Sequence, residues 1–126
     1  MGRLETREEL FKLVFEYTMV AEKSDLSELE ENIKIDRPYL VGAYNGIVEH
    51  YEELIDELSK YTKGYTIDRV FKVDLALLLI AVYEIKYVAE IPTAVSINEA
   101  LNLAKKYSTE KSSGFINGVL ANFAKK

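Results

Sequence analysis

The chain lacks cysteine and tryptophan altogether and has a single histidine among its 126 residues. Without cysteine it can form neither a disulfide framework nor a thiolate zinc site, which favours a reducing compartment, and we expect a cytoplasmic protein. The one histidine, His50, has no second histidine with which to form a metal site. No sequence pattern places it beside a nucleophile that it could activate. The sequence therefore predicts no metal, no cofactor and no enzymatic activity.

Long hydrophobic runs are also missing. The longest apolar stretch runs from Leu75 to Tyr83, about half of what a membrane-spanning helix needs. No glycine-rich phosphate loop is present either, because Asn45-Gly46 and Asn117-Gly118 both lie inside helical patterns. We expect a buried core helix at the apolar stretch and no membrane partner.

Charge is unevenly distributed along the sequence. The net charge of −5 argues against a protein that coats nucleic acid without specificity, since that mode needs many cations. Residues 24–58 hold ten acids against two bases, whereas residues 101–126 hold five lysines against the single acid Glu110. The sequence therefore predicts one acidic region and one basic region, with the basic region near the C-terminal end.

Apolar residues recur with a helical period along the whole chain, which predicts an all-α fold of six to seven helices. In the longest predicted helix they alternate spacings of four and three from Leu40 to Tyr61. Ser96 and Glu99 have the spacing of a capping box, which predicts that a helix opens at Ser96. The predicted helices cover residues 6–21, 24–32, 38–63, 66–70, 73–88, 96–107 and 110–124.

Two patterns predict how the helices pack. Gly42 and Gly46 are four residues apart inside the long helix, where glycine costs helix stability, so another helix should approach closely there. In the first helix, Phe11, Phe15 and Met19 form a second apolar stripe beside the core positions. This stripe is either core or a surface for a partner.

The C-terminal region brings together cations, aromatic rings and an amide. Single-stranded RNA is typically bound by such groups, with lysines on phosphates, rings stacked on unpaired bases and amides reading base edges. The alternative is that the rings belong to the core and the lysines only stabilise the negative C-terminal ends of helices. The residues in question are Lys105, Lys106, Tyr107, Lys111, Phe115 and Asn117.

The order of short motifs in the second half is more specific than any one of them. In chain order, the motifs are Asp74-Leu75-Ala76-Leu77-Leu78-Leu79-Ile80-Ala81-Val82-Tyr83-Glu84-Ile85, Ile91-Pro92, Ile97-Asn98-Glu99-Ala100, Leu103-Ala104-Lys105 and Phe115-Ile116-Asn117-Gly118-Val119-Leu120. With these motifs the chain resembles the NusB transcription antitermination family from about residue 66 to residue 120, and the first half agrees more loosely.

This resemblance implies a fold of two helical subdomains, residues 1–63 and 64–126, that together form one compact domain. It also implies a function. The family pairs with the ribosomal protein NusE, and the pair binds the single-stranded boxA element of ribosomal RNA transcripts within the RNA polymerase antitermination complex.

The resemblance also implies roles for individual residues. Arg3, Arg7 and Phe15 match the positions from which the N-terminal segment and first helix reach RNA, and Asp74 matches an acidic position used toward the protein partner. Tyr107, Lys111 and Phe115 match the C-terminal positions at which the family contacts RNA. Lys105 and Asn117, from the same group of C-terminal cations, rings and amide, complete the C-terminal residues expected to contact RNA.

The sequence departs from the family pattern at several cationic positions. Leu79 and Gly114 stand where an arginine and a lysine are usual, and the arginine-rich N-terminal segment is reduced to Arg3 and Arg7. Because each missing cation removes a phosphate contact, we expect weak RNA binding by the chain alone and tight binding only with its partner. The alternative function is a protein-only interaction module, a homodimer without RNA.

Overall fold

A computed structural model of the chain describes residues 3–20, 26, 35–62 and 67–124. These residues form six α-helices and one short 3-10 turn, and none of them lies in a strand. The all-α prediction is therefore confirmed. The helices are α1 (Arg3–Val20), α2 (Arg37–Glu49), α3 (Tyr51–Ser59), α4 (Lys72–Tyr87), α5 (Thr93–Tyr107) and α6 (Glu110–Ala124), and the 3-10 turn spans Ile67–Arg69.

Helix α4 is the centre of the fold, as the apolar stretch predicted. Ten of its 16 residues are buried, and it packs against each of the five other α-helices. No helix of the described residues is both long and apolar enough to cross a membrane. The predicted acidic helix at 24–32 lies outside the described residues except for Leu26, and the division into two subdomains after residue 63 stays a prediction.

The predicted long helix is interrupted at His50, whose backbone angles (φ −101°, ψ 18°) separate α2 from α3. Hydrogen bonds from His50 N to Gly46 O and from Leu54 N to His50 O keep the two helices in register. The predicted apolar seam is accordingly continuous. Its members are buried or half-buried from Leu40 to Tyr61 on both sides of the break.

The start of α5 differs from the prediction. The helix begins at Thr93, where the Pro92 carbonyl accepts hydrogen bonds from Val95 N and Ser96 N. Ser96 lies within the first turn and is buried, so it is not the cap that its spacing from Glu99 suggested. The Ser96 hydroxyl instead donates a hydrogen bond to the Glu84 carboxylate of α4. Because this contact joins two helices, the local sequence around Ser96 does not predict it.

The close helix approach predicted from two glycines exists at only one of them. A Cβ atom added at Gly46 would lie 2.5 Å from the Tyr83 hydroxyl oxygen and 2.6 Å from a ring carbon of Tyr83, so α2 and α4 meet at this point. At Gly42 no atom lies within 4 Å of an added Cβ. Gly46 therefore serves packing, whereas Gly42 only lowers helix stability.

We predict opposite effects of alanine at the two glycines. Gly42→Ala raises the free energy of unfolding by about 1 kcal/mol, because alanine is the better helix former. Gly46→Ala lowers it, because displacing the half-buried Tyr83 ring costs about 1–3 kcal/mol, more than the helix gains. Urea unfolding followed by circular dichroism measures both, and equal stabilisation by the two substitutions would contradict the close approach.

Candidate nucleic-acid interface

A single carboxylate on α4 joins four helices. Glu84 is 1% exposed and accepts hydrogen bonds from Arg7 of α1 (3.0 Å from Nε, 3.1 Å from Nη2) and from Ser96 Oγ of α5 at 2.7 Å. The Tyr39 hydroxyl of α2 donates to the same carboxylate. Because a buried charge is tolerated only when paired and hydrogen-bonded, this network fixes α1, α2 and α5 around α4.

The position of Arg7 does not fit the direct RNA contact that the resemblance implies. Its side chain is 4% exposed, and the guanidinium is held by both oxygens of Glu84. A phosphate could reach it only by breaking a buried ion pair, which is costly. Arg7 is thus a positioning residue of the core. Arg3 begins α1, and its side chain lies outside the described residues.

Phe15 and Tyr107, both expected to contact RNA, are linked through Phe11 in what we call the aromatic cluster. The Phe11 ring centroid lies 6.1 Å from that of Phe15 and 5.1 Å from that of Tyr107. Phe11 is buried, while Phe15 and Tyr107 are half-buried. The cluster therefore joins α1 to the end of α5 and leaves part of two rings accessible.

Charged groups cover one edge of the aromatic cluster. Glu8 accepts hydrogen bonds from Lys106 Nζ and from the Tyr107 hydroxyl, the latter at 2.6 Å. These two hydrogen bonds lower the pKa of Glu8 below its usual value, and the bond to Glu8 raises the pKa of Lys106 and of Tyr107. Lys106 is thereby neutralised by an acid and contributes little net positive potential.

Asp74 holds the turn between α5 and α6. Its two oxygens accept hydrogen bonds from Ser108 Oγ at 2.7 Å and from Ser112 Oγ at 2.9 Å, and the residue is 5% exposed. Thr109 Oγ1 lies 3.0 Å from Ser112 Oγ and extends this network. Both oxygens of Asp74 are therefore engaged within the protein, where they hold the turn between Tyr107 and Lys111.

A cavity of about 230 Å³, here called the Phe71 pocket, opens beside this turn. Lys111 and Phe115 lie on the same face of α6, one turn apart, and line the cavity. Arg69 and Phe71, from the segment before α4, also line it. The lining residues include Arg69, Phe71, Asp74, Lys111, Ser112 and Phe115.

The remaining predicted contacts are placed differently. Lys105 is exposed near the end of α5. Asn117 is exposed but lies two residues after Phe115, and hence on the opposite side of α6 from the pocket. No atom lies within 4 Å of a Cβ added at Gly118, so no neighbouring helix approaches this glycine closely.

The structure thus brings the predicted residues to two adjacent places on either side of the α5–α6 turn. Phe15 and Tyr107 belong to the aromatic cluster, and Lys111, Phe115 and Asp74 belong to the Phe71 pocket. Sequence reasoning missed Arg69 and Phe71. The only sequence pattern that marks them is a cation and an aromatic residue two positions apart, just before the apolar helix. Without the fold, this pattern is weak evidence for a binding site.

The opposite end of α4 carries a different surface. Tyr87 stacks on His50 with ring centroids 4.7 Å apart, and Glu53 accepts hydrogen bonds from Tyr87 and from Lys86 Nζ. Neighbouring Glu49 and Glu52 are exposed. This acidic end is unsuited to phosphate groups, which leaves the α5–α6 turn as the better nucleic-acid surface.

Comparisons with known proteins agree with the resemblance over the whole chain. The model of the NusB family matches residues 4–125. A protein of Agathobacter rectalis named transcription antitermination protein NusB is 42% identical, over 98% of this chain and 100% of that protein. The protein of the same name from Clostridium kluyveri is 40% identical, over 99% of this chain and 96% of that protein.

A solved structure shows the same fold. The structure of NusB from T. maritima superposes with a TM-score of 0.85 at 31% sequence identity, covering 98% of this chain and 91% of that one. The arrangement of helices around α4 is therefore shared with this protein.

We predict that Glu84→Gln lowers the free energy of unfolding by about 3–5 kcal/mol, because it leaves the Arg7 cation buried without a counter-charge. Glu53→Gln is the matched control, since Glu53 makes two of the same kinds of contact at an exposed site and its loss should leave the unfolding midpoint nearly unchanged. Urea unfolding compares the two variants. Equal midpoints would show that the Glu84 network does not hold the helices together.

Proposed function

The chain belongs to the NusB family, and on this premise we propose that it is a transcription antitermination factor acting on ribosomal RNA genes. In this proposal the chain pairs with the ribosomal protein NusE, and the pair binds the boxA element of the nascent transcript within the RNA polymerase antitermination complex. The observation that carries the proposal is the surface around the α5–α6 turn, where accessible rings and lysines lie together.

The RNA contacts that we propose lie on both sides of this turn. Phe15, Tyr107 and Phe115 are half-buried, so each ring is anchored in the fold and exposes an edge or face on which an unpaired base can stack. Lys105 and Lys111 are exposed and supply cations for phosphates. Asn117, on the far side of α6, is outside this surface.

Two predicted contact residues take supporting roles in this proposal. Arg7 positions α1, and with it Phe15, through the ion pair with Glu84. Asp74 positions the α5–α6 turn through Ser108 and Ser112, so a partner that engages this region would depend on Asp74 indirectly. Substitution of either residue should then act through stability and geometry.

The surface around the α5–α6 turn carries few free cations, so the chain needs a partner to bind RNA tightly. Lys106 is paired with Glu8, Leu79 is fully buried, and Gly114 is exposed where a lysine is usual in the family. With so few phosphates neutralised, the electrostatic part of binding is small. We therefore propose that the chain alone binds boxA RNA weakly and that NusE supplies the missing contacts.

Binding of a fluorescent boxA RNA and a scrambled RNA, with and without the NusE protein and across a salt series, tests the proposal. We expect preference for boxA that strengthens with NusE. Lys111→Gln should weaken binding and reduce the slope of log K against log salt by about 0.7, the value for one phosphate contact on a single strand.

Lys86→Gln is the matched control, because Lys86 is an exposed cation at the acidic end of α4 and should leave the salt slope unchanged. Equal binding of boxA and scrambled RNA in every condition would overturn the proposed function. Equal slopes for the wild type and Lys111→Gln, with boxA preference intact, would move the RNA surface away from α6.

A further inference from the structure

We propose that the Phe71 pocket holds one unpaired RNA base, with Arg69 and Lys111 engaging the phosphates that flank it. This inference rests on the proposed RNA function and adds two residues, Arg69 and Phe71, that the sequence did not single out. It also gives the α6 residues Lys111 and Phe115 a common target.

The size of the cavity fits a single ring system. Its volume of about 230 Å³ is below the range of about 300–1,000 Å³ that is usual for sites of drug-sized ligands. The cavity is open to solvent, so one base extruded from a strand can enter it while the rest of the strand stays outside. The strand on either side of the base would then run across the rim.

The walls offer stacking surfaces. Phe71 is 56% exposed, and Phe115 on α6 is half-buried. One exposed aromatic residue would need no explanation by itself. Here the exposed ring borders a cavity that a second ring also lines, and base stacking on such rings is tolerant of sequence and worth about 1–3 kcal/mol per base.

The charges at the pocket favour an anionic chain. Arg69 and Lys111 both line the cavity and are exposed, one before α4 and one on α6. The single acid among the lining residues, Asp74, is 5% exposed and accepts hydrogen bonds from two serine hydroxyls, so two exposed cations outnumber one buried carboxylate. Glu110, next to Lys111 in sequence, is exposed and is not a lining residue.

An acidic protein segment would satisfy the two cations as well, but the pocket is continuous with the proposed RNA surface. Lys111 and Phe115 belong to both, and Ser108, which binds Asp74 at the pocket, directly follows Tyr107 of the aromatic cluster. A strand that stacks on Tyr107 would therefore pass the pocket within a few nucleotides. We accordingly assign the pocket to RNA.

The test uses the full chain with the NusE protein and boxA RNAs that carry 2-aminopurine at one position at a time. In the wild type, one position should change fluorescence on binding because its base enters the pocket. Phe71→Ala should abolish the change at that position only and weaken binding about tenfold. Arg69→Gln should reduce the salt slope by about 0.7.

Matched controls come from the other end of α4. Tyr87→Ala and Lys86→Gln remove an exposed ring and an exposed cation 15–16 residues after Phe71, about 22–24 Å along α4 at 1.5 Å per helical residue, and should leave both readouts unchanged. The Phe71 side chain is outside the hydrophobic core, so Phe71→Ala should keep the thermal unfolding midpoint of the wild type.

The outcomes separate this inference from the proposed function. If the wild type prefers boxA but Phe71→Ala and Arg69→Gln bind and report like the wild type, the pocket assignment is overturned and the proposed function stands. If these variants weaken NusE binding without RNA and leave the 2-aminopurine signal intact, the pocket belongs to the protein partner. If the wild type shows no boxA preference, both fail.

Discussion

The buried ion pair between Arg7 and Glu84 is the contact on which the rest of the fold depends. Each charge alone would be strongly destabilising in the core, so the pair forces α1 onto α4, and the hydroxyls of Tyr39 and Ser96 complete the coordination from α2 and α5. Apolar packing alone would allow these helices to slide. Four donor groups from three other helices meet at this one carboxylate and allow one arrangement only.

This arrangement places chemically different surfaces at the two ends of α4. At its N-terminal end, Asp74 fixes the α5–α6 turn, and cations and rings gather around it. At its C-terminal end, Glu53 gathers Lys86, Tyr87 and His50 into an acidic surface. The polarity is electrostatic and follows from the unequal charge of the two parts of the sequence. An anionic strand is attracted to one end and repelled from the other.

The sequence predicted the parts of the fold that depend on periodicity, and it predicted less well those that depend on tertiary contacts. The seam from Leu40 to Tyr61 and the burial of α4 follow from apolar spacing alone. The roles of Ser96 and Arg7 do not, because each is set by Glu84, which is distant in sequence. The sequence did contain one signal for these contacts, the carboxylate Glu84 near the end of an apolar helix. A buried carboxylate needs hydrogen-bond donors from other elements. For the candidate site, the sequence indicated the residues of α5 and α6. It did not indicate Arg69 and Phe71, because only the fold brings them to the same cavity as Lys111.

We propose that RNA binds this chain at the α5–α6 turn. Amide chemical-shift mapping of the isotope-labelled chain, titrated with boxA RNA in the presence of unlabelled NusE protein and compared with NusE alone, tests it most directly. We expect RNA to add perturbations at residues 105–115 and in the segment 69–71, while the amides of 49–53 stay unchanged. RNA-dependent perturbations confined to the acidic end of α4 and α3, or none at all, would contradict it.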